Sequence, residues 1–177
     1  FILHAGSLHH NIGIEELIDA FERLSDKTMD LWFCGSGALD GYIREKAKEN
    51  GRIRHMGFVD PQTLFEYEKQ ATLLVNVRDP NADYTKYSFP SKTFEYMASG
   101  TPFLTTDLAG IPPEYKDYLF VIQNNSVEEI CAGLARALAL TDKEREMFGA
   151  RARKFVLNQK NKTVQARKLA ALLDKLK

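Results

Sequence analysis

The 177-residue sequence predicts an α/β domain built on an open parallel sheet of about six strands flanked by helices. Two observations predict it. Apolar runs of strand length alternate with helical periodicity from end to end, the pattern of strand–helix units in a parallel sheet. The chain is also long enough for one large domain, able to bury roughly 70% of its unfolded surface without a disulfide or metal staple.

Taken in order, the strands fall near residues 1–5, 30–35, 53–58, 72–77, 102–106 and 118–122. The first helix is the clearest: Ile14, Leu17, Ile18, Phe21 and Leu24 recur at helical spacing, while Glu15, Glu16, Asp19, Glu22 and Arg23 take the other face. Further helices are predicted near 38–50, 61–70, 90–99 and 126–140. After the fourth strand, a stretch rich in Asp, Asn, Pro and Tyr reads as a loop as far as Ser88. Ligands of open α/β sheets bind beyond the carboxyl ends of the strands, which is where this loop would lie.

From Thr141 onward the pattern is helical without strands. The segment 163–177 reads as an amphipathic helix with a stripe at Leu169, Leu172, Leu173 and Leu176, which either packs on its own domain or faces another. Phe1-Ile2-Leu3-His4-Ala5 reads as a strand already under way, so residues 1–177 are expected to be the C-terminal part of a longer protein.

Acids and bases balance at 24 each, so no general pull toward nucleic acid or anionic lipid is encoded, and any anion site must be local. Cys34 and Cys131 lack metal-ligand spacing and are expected to be reduced structural cysteines. No apolar run approaches the ~20 residues needed to span a bilayer, and no signal peptide is evident, so the expected location is the cytoplasm.

The stretch 88–102, Ser-Phe-Pro-Ser-Lys-Thr-Phe-Glu-Tyr-Met-Ala-Ser-Gly-Thr-Pro, reads as a loop turning into a short helix. Pro90 suits a first helical position and Gly100 the exit. Lys92 is out of place, because the positive end of the helix dipole disfavours a cation. A lysine beside backbone N–H groups there points to an anion bound between them. Lys92 and Glu95 could also form an ordinary surface ion pair at i, i+3 spacing, although this order opposes the dipole.

Three further segments draw attention. Gly35-Ser36-Gly37 follows a strand and opens a helix, as in a phosphate-binding turn, but lacks the full dinucleotide fingerprint. His9 and His10 are adjacent, which suits a loop surface better than a helical metal pair; His4 and His55 read as satisfied core histidines. Glu114 reads as a helix-start carboxylate.

The run Glu95-Tyr96-Met97-Ala98-Ser99-Gly100-Thr101-Pro102 closely resembles the donor-site helix of GT-B glycosyltransferases, especially the retaining, family-4-like enzymes that build bacterial surface polysaccharides. The resemblance extends in order from Gly6 to about Ile122. It implies a Rossmann-like C-terminal half of a GT-B fold, binding a UDP- or GDP-linked sugar without a metal cofactor. The acceptor site, and any contact with the inner membrane, would belong to an N-terminal domain, so the segment alone would bind donor without turning it over.

Carried over residue by residue, the resemblance implies that Glu95 accepts hydrogen bonds from ribose hydroxyls, beside Pro90 and Ser91 at the start of the helix. Lys92 would pair with the leaving diphosphate. Gly6, Ser7 and Gly35 would shape the cleft through their backbone, with Phe58 and Val59 meeting the base or serving only as core. The chain departs from the family in two places. Tyr87 stands where the family has its first glutamate, and Ser7 and Ile12 stand where it has an arginine and a lysine for the diphosphate. Charge stabilisation there is normally a large contribution to transfer, so Lys92, Arg78, Lys86, His9 or His10 would have to substitute. A nucleotide-binding module on a degenerate scaffold, or a nucleotide-sugar 2-epimerase, therefore remains open as an alternative.

Overall fold

A computed structural model describes residues 1–175. Its strands are β1 (Ile2–Ala5), β2 (Leu31–Cys34), β3 (Ile53–Gly57), β4 (Leu73–Asn76), β5 (Phe103–Thr106) and β6 (Phe120–Ile122). They form one parallel sheet in the order β3-β2-β1-β4-β5-β6. All six strands lie where the apolar runs predict them, because strands covered on both faces must be apolar throughout. Succession reverses between β1 and β4, so the loops leaving those two strands diverge and open a crevice beyond the carboxyl edge.

The helices are α1 (Ile14–Arg23), α2 (Asp40–Glu49), α3 (Pro61–Gln70), α4 (Asp83–Lys86), α5 (Lys92–Ser99), α6 (Pro113–Lys116), α7 (Val127–Leu138), α8 (Asp142–Gln159) and α9 (Lys162–Asp174). Several begin on side-chain caps. Asp60 accepts the Gln62 and Thr63 N–H groups, Ser126 accepts that of Glu129, and Thr141 and Glu144 form a capping box.

Side chains alternate across the sheet and build two cores. Ile2 packs with Ile18, Phe21, Ile43 and Leu134 on the α1, α2 and α7 side. Leu3 packs with Tyr96, Met97, Tyr115 and Phe155 on the α5, α6 and α8 side.

The structure refines the sequence reading at several points. The loop after β4 carries the helical turn α4, held by the buried Thr85 hydroxyl donating to the Ala82 carbonyl at 2.6 Å. Leu24 lies just past α1 as its C-cap, and α2 begins at Asp40 after a turn. Pro90 precedes the N-cap, Ser91, and its carbonyl accepts the Thr93 N–H at 2.9 Å, so the proline directs the turn into α5 from outside the helix. Finally, α9 buries none of its residues, and Leu169, Leu172 and Leu173 are more than half exposed. Both sheet faces are already covered by the helices of the two cores, so the sheet offers α9 no apolar face. Leu176 lies outside the described residues.

Candidate functional site

The turns that leave β1, β2 and β3 lie against one another at the carboxyl edge. The Gly6 N–H donates to the Cys34 carbonyl at 2.9 Å, the Leu8 N–H to Ser36 at 3.1 Å, and the Gly35 N–H to Gly57 at 2.8 Å. Gly35 has φ 138°, and a Cβ on it would sit 1.8 Å from the Gly6 carbonyl oxygen. Only glycine meets both demands, and the close approach leaves open space above the two turns.

That space is a cleft of about 300 Å³ lined by Gly6, Ser7, Gly35, Phe58, Val59 and Lys92 among others. It runs on into a second hollow of about 460 Å³, where Phe58, Val59 and Lys92 are joined by Phe65, Glu68 and Glu95. Gly6, Ser7, Gly35, Phe58, Val59, Lys92 and Glu95 are thus brought together from distant parts of the sequence. Phe58 is 84% exposed and no part of the core, whereas Val59 packs against the second core as well as lining the cleft. Pro90 and Ser91 stand at the entry of α5, the proline buried and the serine exposed, outside the residues that line these two hollows.

Tyr96 fixes α5 against the sheet: its buried hydroxyl accepts the Ala5 N–H and donates to the Ala5 carbonyl. Lys92 and Glu95, on the same helix, are thereby held beside the turn after β1. The N–H groups of Thr93 and Phe94 are not free as the sequence suggested, because the entry turn bonds them to the Pro90 and Ser91 carbonyls. Ser91 makes no side-chain cap.

Lys92 does pair with Glu95, and it has a second partner that sequence reasoning missed. Its Nζ lies 3.4 Å from Oε1 of Glu68 on α3. The Glu68 side chain is 2% exposed, Lys92 19% and Glu95 54%, so one ammonium joins a buried carboxylate to an exposed one. Burial pushes the Glu68 carboxyl up; Lys92 opposes this and the Glu95 charge adds to it. Burial also raises the Cys34 thiol to about 11 in the cleft wall, leaving it a neutral thiol. Cys34 and Cys131 are both free. One signal for Glu68 was present in the sequence, since it falls with Leu64 and Ala71 on the apolar stripe of its helix.

Apart from Lys92, none of the substitute cations lines the two hollows. Arg78 Nε donates to Asn76 Oδ1 at 3.3 Å, Lys86 pairs with Asp83 at 2.8 Å, and His10 lies 3.3 Å from Glu15. His9 Nδ1 accepts the Ala38 N–H at 3.5 Å. Tyr87 is 91% exposed. Glu114 pairs with Lys160, which holds its carboxyl below the usual range, in keeping with a carboxylate at a helix start.

His55 is satisfied by Asp40, its Nε2 lying 3.3 Å from Oδ1. His4 departs from the core-histidine reading. Its Nδ1 meets the Val75 carbonyl at 3.2 Å, but Nε2 is buried without a hydrogen-bond partner. Burial lowers its pKa to about 4, so the ring is neutral at pH 7.

An open parallel sheet in this order, with a glycine-walled cleft at its carboxyl edge, defines the doubly wound α/β class. Within that class the chain belongs to the family described as glycosyl transferases group 1, whose profile matches residues 1–140. No curated protein sequence matches the chain.

Among solved structures, Anabaena HepE (Alr3699) in complex with UDP superposes with TM-score 0.76 at 16% identity, covering 98% of this chain and 48% of HepE. The C-terminal domain of the Francisella tularensis group 1 glycosyl transferase LpcC gives TM-score 0.74 at 18% identity, covering 92% of this chain and 87% of that one. Sucrose-phosphate synthase from Thermosynechococcus elongatus gives 0.75 at 19%, covering 99% and 45%. The chain therefore has the Rossmann-like fold of GT-B C-terminal domains and spans about half the length of HepE. No helix among the described residues is long and apolar enough to cross a membrane.

Proposed function

We propose that this domain binds the nucleotide-diphosphate sugar, UDP- or GDP-linked, of a retaining, metal-independent glycosyltransferase that builds a bacterial surface polysaccharide. The observation that carries the reading is the convergence of Gly6, Ser7, Gly35, Phe58, Val59 and Lys92 on one cleft at the carboxyl edge of the sheet, with Glu95 in the adjoining hollow. Phe58 offers an exposed ring to a base, Glu95 an acceptor to ribose hydroxyls, and Lys92 an ammonium to the diphosphate. The glycine turns leave room for the phosphates to approach the backbone. The acceptor site belongs to an N-terminal domain, which the exposed leucines of α9 would face. That domain would hold the protein peripherally at the cytoplasmic side of the inner membrane.

Calorimetric titration with UDP, GDP, ADP and their sugar conjugates tests the reading. At least one diphosphate should bind, and its nucleoside more weakly; a domain that binds none of them sinks the proposal. A second reading, nucleotide binding without transfer, is favoured by Ser7 and Ile12 in place of cations and by Arg78 and Lys86 lying outside the residues that line the two hollows. Sugar transfer by the full-length protein decides between the two.

A further inference from the structure

Lys92 poses a problem for a diphosphate site, because its ammonium already lies between two carboxylates. Two charged carboxylates and one ammonium leave a net negative charge where an anion is to bind. The two carboxylates are not equivalent. Glu68 is buried on α3, with Cys34 and Tyr96 among the titratable groups close enough to be influenced by it. Stripping the ammonium from Glu68 would leave an uncompensated charge in the interior, a severe penalty. Glu95 is more than half exposed, and an ion pair at that exposure is weak because water replaces the partner.

We propose that Glu68 is a positioning residue that anchors Lys92 in the cleft, and that a donor diphosphate exchanges with Glu95, and not with Glu68, on the same ammonium. The proposal rests on the donor-site reading of the cleft. The chemistry of the three groups carries it. An ammonium has three donors, enough to hold Glu68 and a phosphate oxygen together. A carboxylate accepts only. Once released from Lys92, Glu95 is free to accept from other donors, and a ribose diol bound beside the diphosphate supplies two in place of water. Entry of the diphosphate thereby couples to ribose recognition through one residue exchange.

The alternative is that Glu68 and Lys92 are a structural pair with no part in binding, and the two accounts differ in sign. If the pair is only structural, neutralising Glu68 removes a negative charge near the phosphates and should tighten the diphosphate. If Glu68 is the anchor, neutralising it frees Lys92 and loosens the diphosphate.

The test uses Glu68→Gln, with Glu68→Asp as a variant that keeps the charge but shortens its reach, and Lys92→Ala. In a first arm without nucleotide, competitive labelling of lysine amines by acetic anhydride is read by mass spectrometry. Lys92 should react slowly in the parent, where its ammonium is held between two carboxylates, and severalfold faster in Glu68→Gln, where the buried partner is lost. Unchanged labelling in both Glu68 variants overturns the anchor. In a second arm, calorimetry compares UDP and GDP with uridine and guanosine. Glu68→Gln and Glu68→Asp should weaken the diphosphate about tenfold, the scale of one charge-assisted hydrogen bond. They should leave the nucleoside unchanged and add no loss in the Lys92→Ala background. Equal or tighter diphosphate binding by Glu68→Gln overturns the exchange. A parent that binds neither diphosphate overturns the donor-site reading and the exchange with it, while the labelling arm still decides the anchor.

Discussion

The Tyr96 hydroxyl takes the Ala5 N–H at 2.8 Å and returns a hydrogen bond to the Ala5 carbonyl at 3.1 Å. β1 pairs with β4 through Ile2 and Leu3, so Ala5 lies past the end of that ladder. A side chain from α5 stands in for the missing strand. Burial pushes the phenol pKa up, so the hydroxyl keeps its proton and both bonds.

Tyr96→Phe should therefore destabilise the fold by about 1–3 kcal/mol, the cost of orphaning a buried backbone group. Urea unfolding should show a lower midpoint with an unchanged m-value. An unchanged midpoint would mean that water replaces the hydroxyl at no cost.

His4 sets a pH dependence. Its pKa falls from the usual 6.5 to about 4 because burial disfavours the imidazolium. The unfolded chain binds the proton first, so the contribution of this residue is fully present above pH 6.5 and is lost as the pH falls toward 4. The loss should reach about 3 kcal/mol. Denaturant titrations at several pH values should show it, and His4→Leu should flatten the slope in that window. The same slope in the variant would locate the titration elsewhere.

Glu95→Gln should weaken nucleotide binding by about 1–3 kcal/mol, the scale for hydrogen bonds to a charged acceptor, with little change in Tm. The informative comparison is a 2′,3′-dideoxy nucleotide, which should be insensitive to the change. Equal weakening of both ligands would remove the ribose role.

Phe58→Ala should cost about 1–3 kcal/mol of nucleotide affinity, the range for base–aromatic stacking. Nucleoside and diphosphate should lose the same amount, because the ring meets only the base. Stability should be nearly unaffected at a side chain 84% exposed. Undiminished affinity would place the base elsewhere.

Period and punctuation in the sequence determined which segments are strands and which are the longer helices. Each segment carries its own apolar pattern, and turn residues such as Gly35 and Gly100 mark the exits. The residues of the cleft were legible one at a time through the motif at 95–102 and the glycine turns. Only the tertiary structure decided the strand order, and with it the meeting of the Gly6, Gly35 and Phe58 turns beside α5. It also decided the partner of Lys92. Glu95, three residues away, is visible as a helical neighbour, whereas Glu68, 24 residues away, reaches the lysine only because α3 and α5 pack together. Local periodicity reports which face a residue takes, but not which charge lies across the interface, because that depends on how separate elements pack in space.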